Sequence, residues 1–441
     1  MARAVYSPLV RRVQLPSQPL VHTEAVGGLV LLGAALVALL WANSPIGPSY
    51  EALWHTRATL AVGSWQIDHD LRHWVNDGLM TLFFLAIGLE LRRELAFGSL
   101  KDARCAALPI AAAVGGMAVP AFVYLLIAAG DDSRGWGIPV ATDIAFALGV
   151  LALLGKRLPD GARTLLLSLA AADDVGGILV IAVVYSQAIA PAALVAAAAV
   201  LAACFALRAG GVRHVLVYAG LGLLLWLAVH ASGVHPTLAG VVLGLLAPVH
   251  GDVTPRQFAG TSERIMARYR AALRRDDHPV ATATLGRLET MTIGTEAPVD
   301  RLLRLVRPWV TFAVLPLFAI ANAGVAVDAG TVSRAMASPV TLGIVAGLVV
   351  GKPVGIGIAS WLAVRAGVAR LPDGLAWRHV LGVGLLAGVG FTVSIFIGNL
   401  AFPDGDRTPE STIGILVASV VAGLLGFLAL RLASRQDPRT A

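Results

Sequence analysis

From Val175 to Leu207 the chain carries no charged side chain at all. In hydrocarbon every backbone N–H and C=O must be satisfied within its own segment, so such a run has to be helical, and ~20 apolar residues cross a bilayer. The run is long enough for two crossings, with a turn at Gln187 to Pro191 between them. Elsewhere the pattern repeats. Of 441 residues, 57% are hydrophobic and only 14% charged, whereas a soluble domain carries about 25% charged residues. Leu, Ala and Val supply the apolar mass together with 47 glycines, the composition of membrane helices whose small residues let backbones approach. These features exclude a soluble enzyme, a disordered tail protein and a secreted disulfide scaffold.

The length criterion yields twelve candidate spans, at about 24–42, 74–91, 105–128, 136–154, 164–186, 190–207, 214–230, 234–249, 309–327, 340–362, 379–400 and 411–430. Loop charge sets their orientation, because Lys and Arg collect on the cytoplasmic side. With both termini inside, that side receives Arg92, Arg93, Lys101, Arg104, Lys156, Arg157, Arg163, Arg208, Arg213, Arg365, Arg370 and Arg431. The outer loops then hold Asp68, Asp70, Asp131, Asp132, Asp328, Asp404 and Asp406. This topology also accounts for the net charge of +7, so no nucleic-acid partner is implied. Cys105 and Cys204 are far apart in apolar surroundings and make no metal or disulfide framework. Arg3, Arg11 and Arg12 precede an apolar run from Ala25 to Trp41 without a convincing cleavage site, so the run reads as a retained first span.

The expected organisation is a cytoplasmic segment at 1–23, spans one to eight at 24–249, a basic connector at 250–308, spans nine to twelve at 309–430, and a cytoplasmic tail at 431–441. Two loops stand out. In the first outer loop, Gly63-Ser64 between Thr59–Val62 and Trp65–Ile67 is the pattern of a two-residue hairpin. The connector from His250 to Arg307 has ten Arg against seven acidic residues and reads as either partly helical or mobile.

A charge at the bilayer centre costs several kcal/mol, so such groups face protein or water and usually act. Asp173 lies ten residues past Arg163, hence ~15 Å deep at about 1.5 Å per residue. Asp174 is one step deeper, Lys352 sits mid-span between 340 and 362, and Asp143 lies between Trp136 and Lys156. Four ionisable groups share one layer. Adjacent on a helix, Asp173 and Asp174 point about 100° apart, so they face different partners. A carboxylate beside loosened carbonyls suits a hard cation such as sodium or lithium. Two spans look interrupted near that layer, one at Ile138-Pro139 before Ala141-Thr142-Asp143 and one at Gly388-Val389-Gly390-Phe391-Thr392. Broken spans in corresponding positions of two halves point to a transporter site.

The motifs Ala141-Thr142-Asp143-Ile144-Ala145-Phe146-Ala147-Leu148-Gly149-Val150, Ala172-Asp173-Asp174, Ser232-Gly233-Val234-His235-Pro236-Thr237-Leu238-Ala239-Gly240, Gly351-Lys352-Pro353 and Gly390-Phe391-Thr392-Val393-Ser394-Ile395-Phe396 resemble the NhaA family of bacterial sodium/proton antiporters. So does Asn76-Asp77-Gly78-Leu79-Met80 running into Gly88-Leu89-Glu90. The likeness covers residues 22–250 and 308–430. It implies an all-α integral membrane protein of about twelve helices in inverted-topology repeats, with spans four and eleven unwound and crossing. By resemblance, Asp174 is the principal ligand of the transported Na+ or Li+, and Asp173 sits beside it, paired with Lys352 when the cation is absent. Asp143, with Thr142 next to it, would offset the facing half-helix N-termini and Lys352 the facing C-termini. Glu90, His235 and Asp77 match positions tied to the pH response and the cytoplasmic funnel. The hairpin matches one that joins two protomers.

One departure is specific. Where the family has Arg-Leu-Glu and then Leu-His-Pro-Trp before span nine, this chain has Arg301-Leu302-Leu303 and Val306-Arg307-Pro308-Trp309. A Glu and a His are replaced by Leu303 and Arg307, and Glu289 could substitute only if the insertion folds back. The implied activity is electrogenic, pH-regulated exchange of internal Na+ for external H+ in a bacterial inner membrane, driven by the proton gradient, with no enzyme chemistry and no cofactor. No Walker sequence occurs in the chain. An intramembrane aspartyl protease would need a Gly-x-Gly-Asp context that neither Asp143 nor Asp174 has, and a passive channel would need a continuous polar lining. Exchange of another monovalent cation, such as potassium, for protons would use the same residues.

Overall fold

The computed structural model describes residues 20–62, 65–155, 158–186, 189–212, 214–251, 253–372, 374–403, 405 and 407–435. Gly63-Ser64, Lys156, Arg157, Gln187, Arg213, Asp404, Asp406, the arginines at 3, 11 and 12, and the tail beyond 435 lie outside the described residues.

The helices run in order α1 (Leu20–Ala42), α2 (Gly47–Trp54), α3 (Leu71–Phe97) and α4 (Ala103–Ile127). A tight helical segment, Gly130–Val140, precedes α5 (Ile144–Leu153) and α6 (Asp160–Val184). Then come α7 (Pro191–Ala209), α8 (Val215–Ala231) and α9 (Leu238–Leu245). The connector contains α10 (Pro255–Arg274) and α11 (His278–Thr295). The chain continues through α12 (Pro298–Asn322), α13 (Ala329–Ala337), α14 (Pro339–Arg365), α15 (Trp377–Ala387), α16 (Phe391–Ala401) and α17 (Thr408–Arg435). Strands β1 (Arg57–Val62) and β2 (Trp65–Asp70) pair antiparallel, Arg57 opposite Asp70 and Val62 opposite Trp65.

Among the described residues seven helices are long and apolar enough to cross a membrane, and ten if each bent pair counts as one crossing. The expected span at 234–249 holds only the eight residues of α9, because the Ser232–Thr237 segment before it is a turn. The two interruptions expected from Pro and Gly are real bends: 49° between Gly130–Val140 and α5, and 47° between α15 and α16. Pro191, Pro298 and Pro339 sit in first turns, where a missing N–H costs nothing. Pro308 and Pro353 lie inside helices, and each has a widened turn beside it, Val310–Val314 and Gly347–Gly351. Proline removes a backbone bond and crowds the turn before it, and at Pro353 that is the widened turn Gly347–Gly351.

The chain forms two compact units. The first takes residues up to Thr56, Ala107–Gly177 and residues from Pro316 on. Its core joins α4, α5, α6, α15 and α17 through Leu108, Leu148, Leu166, Leu169, Val383 and Leu430. Gly115 on α4 and Gly355 on α14 lie so close that a Cβ on either would meet the carbonyl of the other. The α1–α2 corner is pinned by Tyr50, whose hydroxyl donates to the Ile320 carbonyl at 2.8 Å.

The second unit takes Arg57–Ala106 and Ile178–Leu315. Here α3 and α9 pack through Gly88, Gly240 and Gly244; a Cβ on Gly244 would sit 2.6 Å from the Leu89 nitrogen. The connector is helical: α10 and α11 form an antiparallel hairpin, with α10 started by a Thr254–Gln257 capping box. Asp276, at φ 57°, makes its turn.

Candidate functional site

In the first unit the two bends bring backbone ends and carboxylates together. Asp143 follows the break and caps α5, accepting from the Phe146 N–H at 3.0 Å. Its other oxygen accepts from the Thr392 N–H at 3.1 Å and the Thr392 hydroxyl at 2.6 Å. One buried carboxylate therefore faces the N-termini of both α5 and α16, where exposed N–H groups carry partial positive charge. The Asp143 N–H donates in turn to the Val389 carbonyl at 2.7 Å, tying one break to the other.

Lys352 stands where the widened turn of α14 ends, fully buried. Its ammonium donates to the Val140 carbonyl, which ends the Gly130–Val140 segment. It also pairs with Asp173 Oδ2 at 2.8 Å, both side chains being 0% exposed. The pair thus joins α14, α6 and the first break. A buried ion pair needs such additional bonds, since desolvation otherwise outweighs the attraction.

Thr142 Oγ lies 2.7 Å from Asp173 Oδ2 and 2.8 Å from the Ala387 carbonyl that closes α15. A hydroxyl has one proton, so it cannot donate to both. With Asp173 ionised, Thr142 donates to one of them; with Asp173 protonated, Asp173 donates to Thr142 and Thr142 to Ala387. Asp173 Oδ1 finds no hydrogen-bond partner among the described residues. It lies near Gly116 of α4, where a Cβ would come within 3.9 Å of it but would first meet the Ile356 side chain at 2.8 Å. Asp174 is 9% exposed against 1% for Asp173, so the two adjacent carboxylates sit in different surroundings.

The remaining sequence-selected residues lie in the second unit. Asp77 sits in a widened turn of α3, Trp74–Leu79, and its Oδ1 is 3.6 Å from His235 Nε2. His235 is placed by the Ser232–Thr237 turn, where Gly233 at φ 81° takes the left-handed conformation, and its Nδ1 contacts Thr237 Oγ1 at 2.8 Å. Glu90, further along α3, pairs with Arg307 on α12. Arg93 on the next turn pairs with Asp300 at 2.8 Å, and Arg92 donates to the Ala247 carbonyl at 3.3 Å. Leu303 is buried with Leu89 and Val299. Glu289 stands exposed on α11.

Sequence reasoning overlooked Thr392, although it lies in the Gly-Phe-Thr cluster that marked the break; a hydroxyl directly after a helix interruption was the available signal. It also counted Arg307 only as a loss, while the structure gives Glu90 a permanent cation there. Among the described residues no group of three His, Cys, Asp or Glu side chains is arranged to share a metal ion.

A predominantly helical chain with at least seven membrane-length helices and a buried carboxylate–ammonium layer at two helix breaks defines a multi-pass membrane transport protein. Residues 18–430 match the family described as Na+/H+ antiporter 1, and the chain belongs to that family. It is 44% identical over 437 residues to the Na+/H+ antiporter NhaA 2 of Sorangium cellulosum, covering 99% of this chain and 92% of the relative. It is 45% identical to the Na+/H+ antiporter NhaA of Cupriavidus necator over 92% of this chain and 87% of that one. The corresponding protein of Rhodospirillum rubrum is 43% identical over 97% of this chain and its own full length.

Proposed function

We propose that this chain, a sodium/proton antiporter, exchanges Na+ or Li+ for H+ by competition at Asp173 and Asp174. Ionised, the two carboxylates hold the cation; protons from the opposite side displace it, and the neutral site returns. An empty, ionised site stays where it is, because carrying bare carboxylates through a dry barrier costs several kcal/mol. The observation that carries the reading is the Asp173–Lys352 pair beside Thr142. Its ammonium stands in for a cation when none is bound, and the vacant Asp173 Oδ1 offers a ligand oxygen. Asp143 and Lys352 balance the dipoles of the broken helices, so the ion enters a site already neutral in its surroundings.

By the same reading, spans four and eleven cross at the site within inverted repeats of about twelve helices, and both termini and the 250–308 connector are cytoplasmic. The protein lies in the bacterial inner membrane as a homodimer joined through the β1–β2 hairpin. More than one proton per cation would make exchange electrogenic. Glu90, Asp77 and His235 tune the response to pH.

The test uses inverted vesicles holding a preset pH gradient. Sodium or lithium is expected to collapse the gradient, and Asp174→Asn to abolish the response. Persistence in Asp174→Asn removes the site assignment. A response to potassium alone would favour potassium/proton exchange at the same residues.

A further inference from the structure

The second unit holds a set of titratable rings remote in sequence from the carboxylate layer. His69 on β2 stacks on His73 at the start of α3, ring centres 5.1 Å apart and 10° from parallel. The same His69 meets His230 of α8 edge-to-face at 5.4 Å. His230 lies flat on Trp226 at 5.4 Å, and Trp226 stacks on Trp74 of α3 at 6.4 Å. The indoles are fixed: Trp74 Nε1 donates to the Ala58 carbonyl of β1 at 2.8 Å and Trp226 Nε1 to the Asp77 carbonyl at 3.0 Å. Three imidazoles thus join the apolar seat of Ile67 among Leu225, Trp226 and Val229 in fastening β2 to α3 and α8.

The charges facing this stack are unevenly arranged. On β2, Asp70 accepts from the His73 N–H at 2.7 Å and lies 3.3 Å from His73 Nδ1, so one proton on His73 has a counter-ion. Asp68 is engaged by Arg57 of β1 at 2.5 Å and by the Thr59 hydroxyl at 2.8 Å. On α3, Arg72 adds positive charge, and Asp77 faces His235 from the turn before α9. His69, in the middle, touches both other imidazoles. Burial, and next the neighbouring His73, hold its basicity below the ordinary imidazole range.

We propose that His69, His73 and His230 form a proton-operated latch: neutral, the stack holds the β1–β2 hairpin to α8, and protonated on more than one ring, it releases it. The sign follows from linkage. A ring such as His69, whose protonation is held down while stacked and freed once released, favours the released state as pH falls below the free imidazole value of about 6.5. The latch rests on the proposed function in one respect, the outer placement of the hairpin, which makes the sensed pH that of the outside.

Hydrogen–deuterium exchange of the full chain in lipid nanodiscs tests the latch without any transport reading. Times are scaled for the intrinsic pH dependence of amide exchange. Peptides covering 57–70 are expected to exchange faster at about pH 5.5 than at about 7.5 in the wild type. His69→Phe and His230→Phe keep a ring in the stack without a titratable nitrogen, and each is expected to remove the acid-induced step. His235→Gln is expected to keep it. Equal wild-type rates at the two pH values, or a step that survives both Phe variants or vanishes in His235→Gln, overturns the latch. None of these results bears on whether Asp174 carries the cation.

Discussion

Asp173 and Lys352 are each other's main charge partner, both side chains fully buried, so removing one leaves the other stranded. Breaking a buried pair costs about 3–5 kcal/mol, while replacing both members by apolar groups is often neutral. Lys352→Ala is therefore expected to lower the Tm of the purified protein sharply, and Asp173→Asn combined with Lys352→Met to recover most of the loss. A double variant as unstable as the single one would contradict the pairing. A second residue-scale test concerns Arg307. Arginine stays charged at every physiological pH, so its bridge to Glu90 persists where a histidine bridge would not. In Arg307→His the bridging cation becomes an imidazole, charged below its free value of about 6.5 and neutral above it, so the bridge forms in acid and is lost as pH rises. A spin-label distance between α3 and α12 is expected to become pH-dependent in Arg307→His and to stay constant in the wild type. The Asp-Asp and Lys motifs were legible as ionisable groups at membrane depth. Spacing alone did not say which aspartate meets the lysine, since that depends on the rotation of α6 against α14; the family resemblance pointed to Asp173, and the structure pairs it with Lys352.

Elements were legible where proline or glycine broke an apolar run. Pro139 and the Gly388–Gly390 cluster foretold the two bends, since neither residue type sustains a regular helix. The strands of the hairpin were foretold by a Gly-Ser pair between alternating segments. The connector was not decided by its polarity: a helix such as α10 exposes arginines on one side and packs Phe258, Ile265 and Tyr269 inward, and only its partner α11 makes that worthwhile. At this scale the short helix α13 offers a pH test. The Thr331 backbone N–H, then its hydroxyl, bond to the Asp328 carboxylate and hold it below the usual carboxylate range. A depressed carboxylate stabilises above its free pKa near 3.8 and ceases to as pH falls through its folded value. Asp328→Ala is expected to lower Tm at neutral pH and to make no difference in strong acid. An unchanged neutral Tm would show that the cap contributes nothing.

For the whole molecule the charge of the loops carries the topology, and that is open to direct test. In a Cys105→Ser background, a cysteine at Ser262 on α10 is expected to react with an impermeant maleimide only in inverted vesicles, and one at Asp131 only in right-side-out cells. The opposite pattern would invert every loop. Sequence alone indicated the membrane class, because long uncharged runs suit helices in hydrocarbon, and its motifs carried the family likeness. It also singled out Asp143, Asp173, Asp174 and Lys352, all four of which the structure buries. Folding decided the partners: Thr392 for Asp143, Lys352 for Asp173, Arg307 for Glu90, and His69 between His73 and His230. Spacing places a side chain along the bilayer normal, but azimuth and neighbours come from helix packing across long stretches of chain. The scarce charges were visible from the start; the contacts that give them work exist only once the helices are assembled.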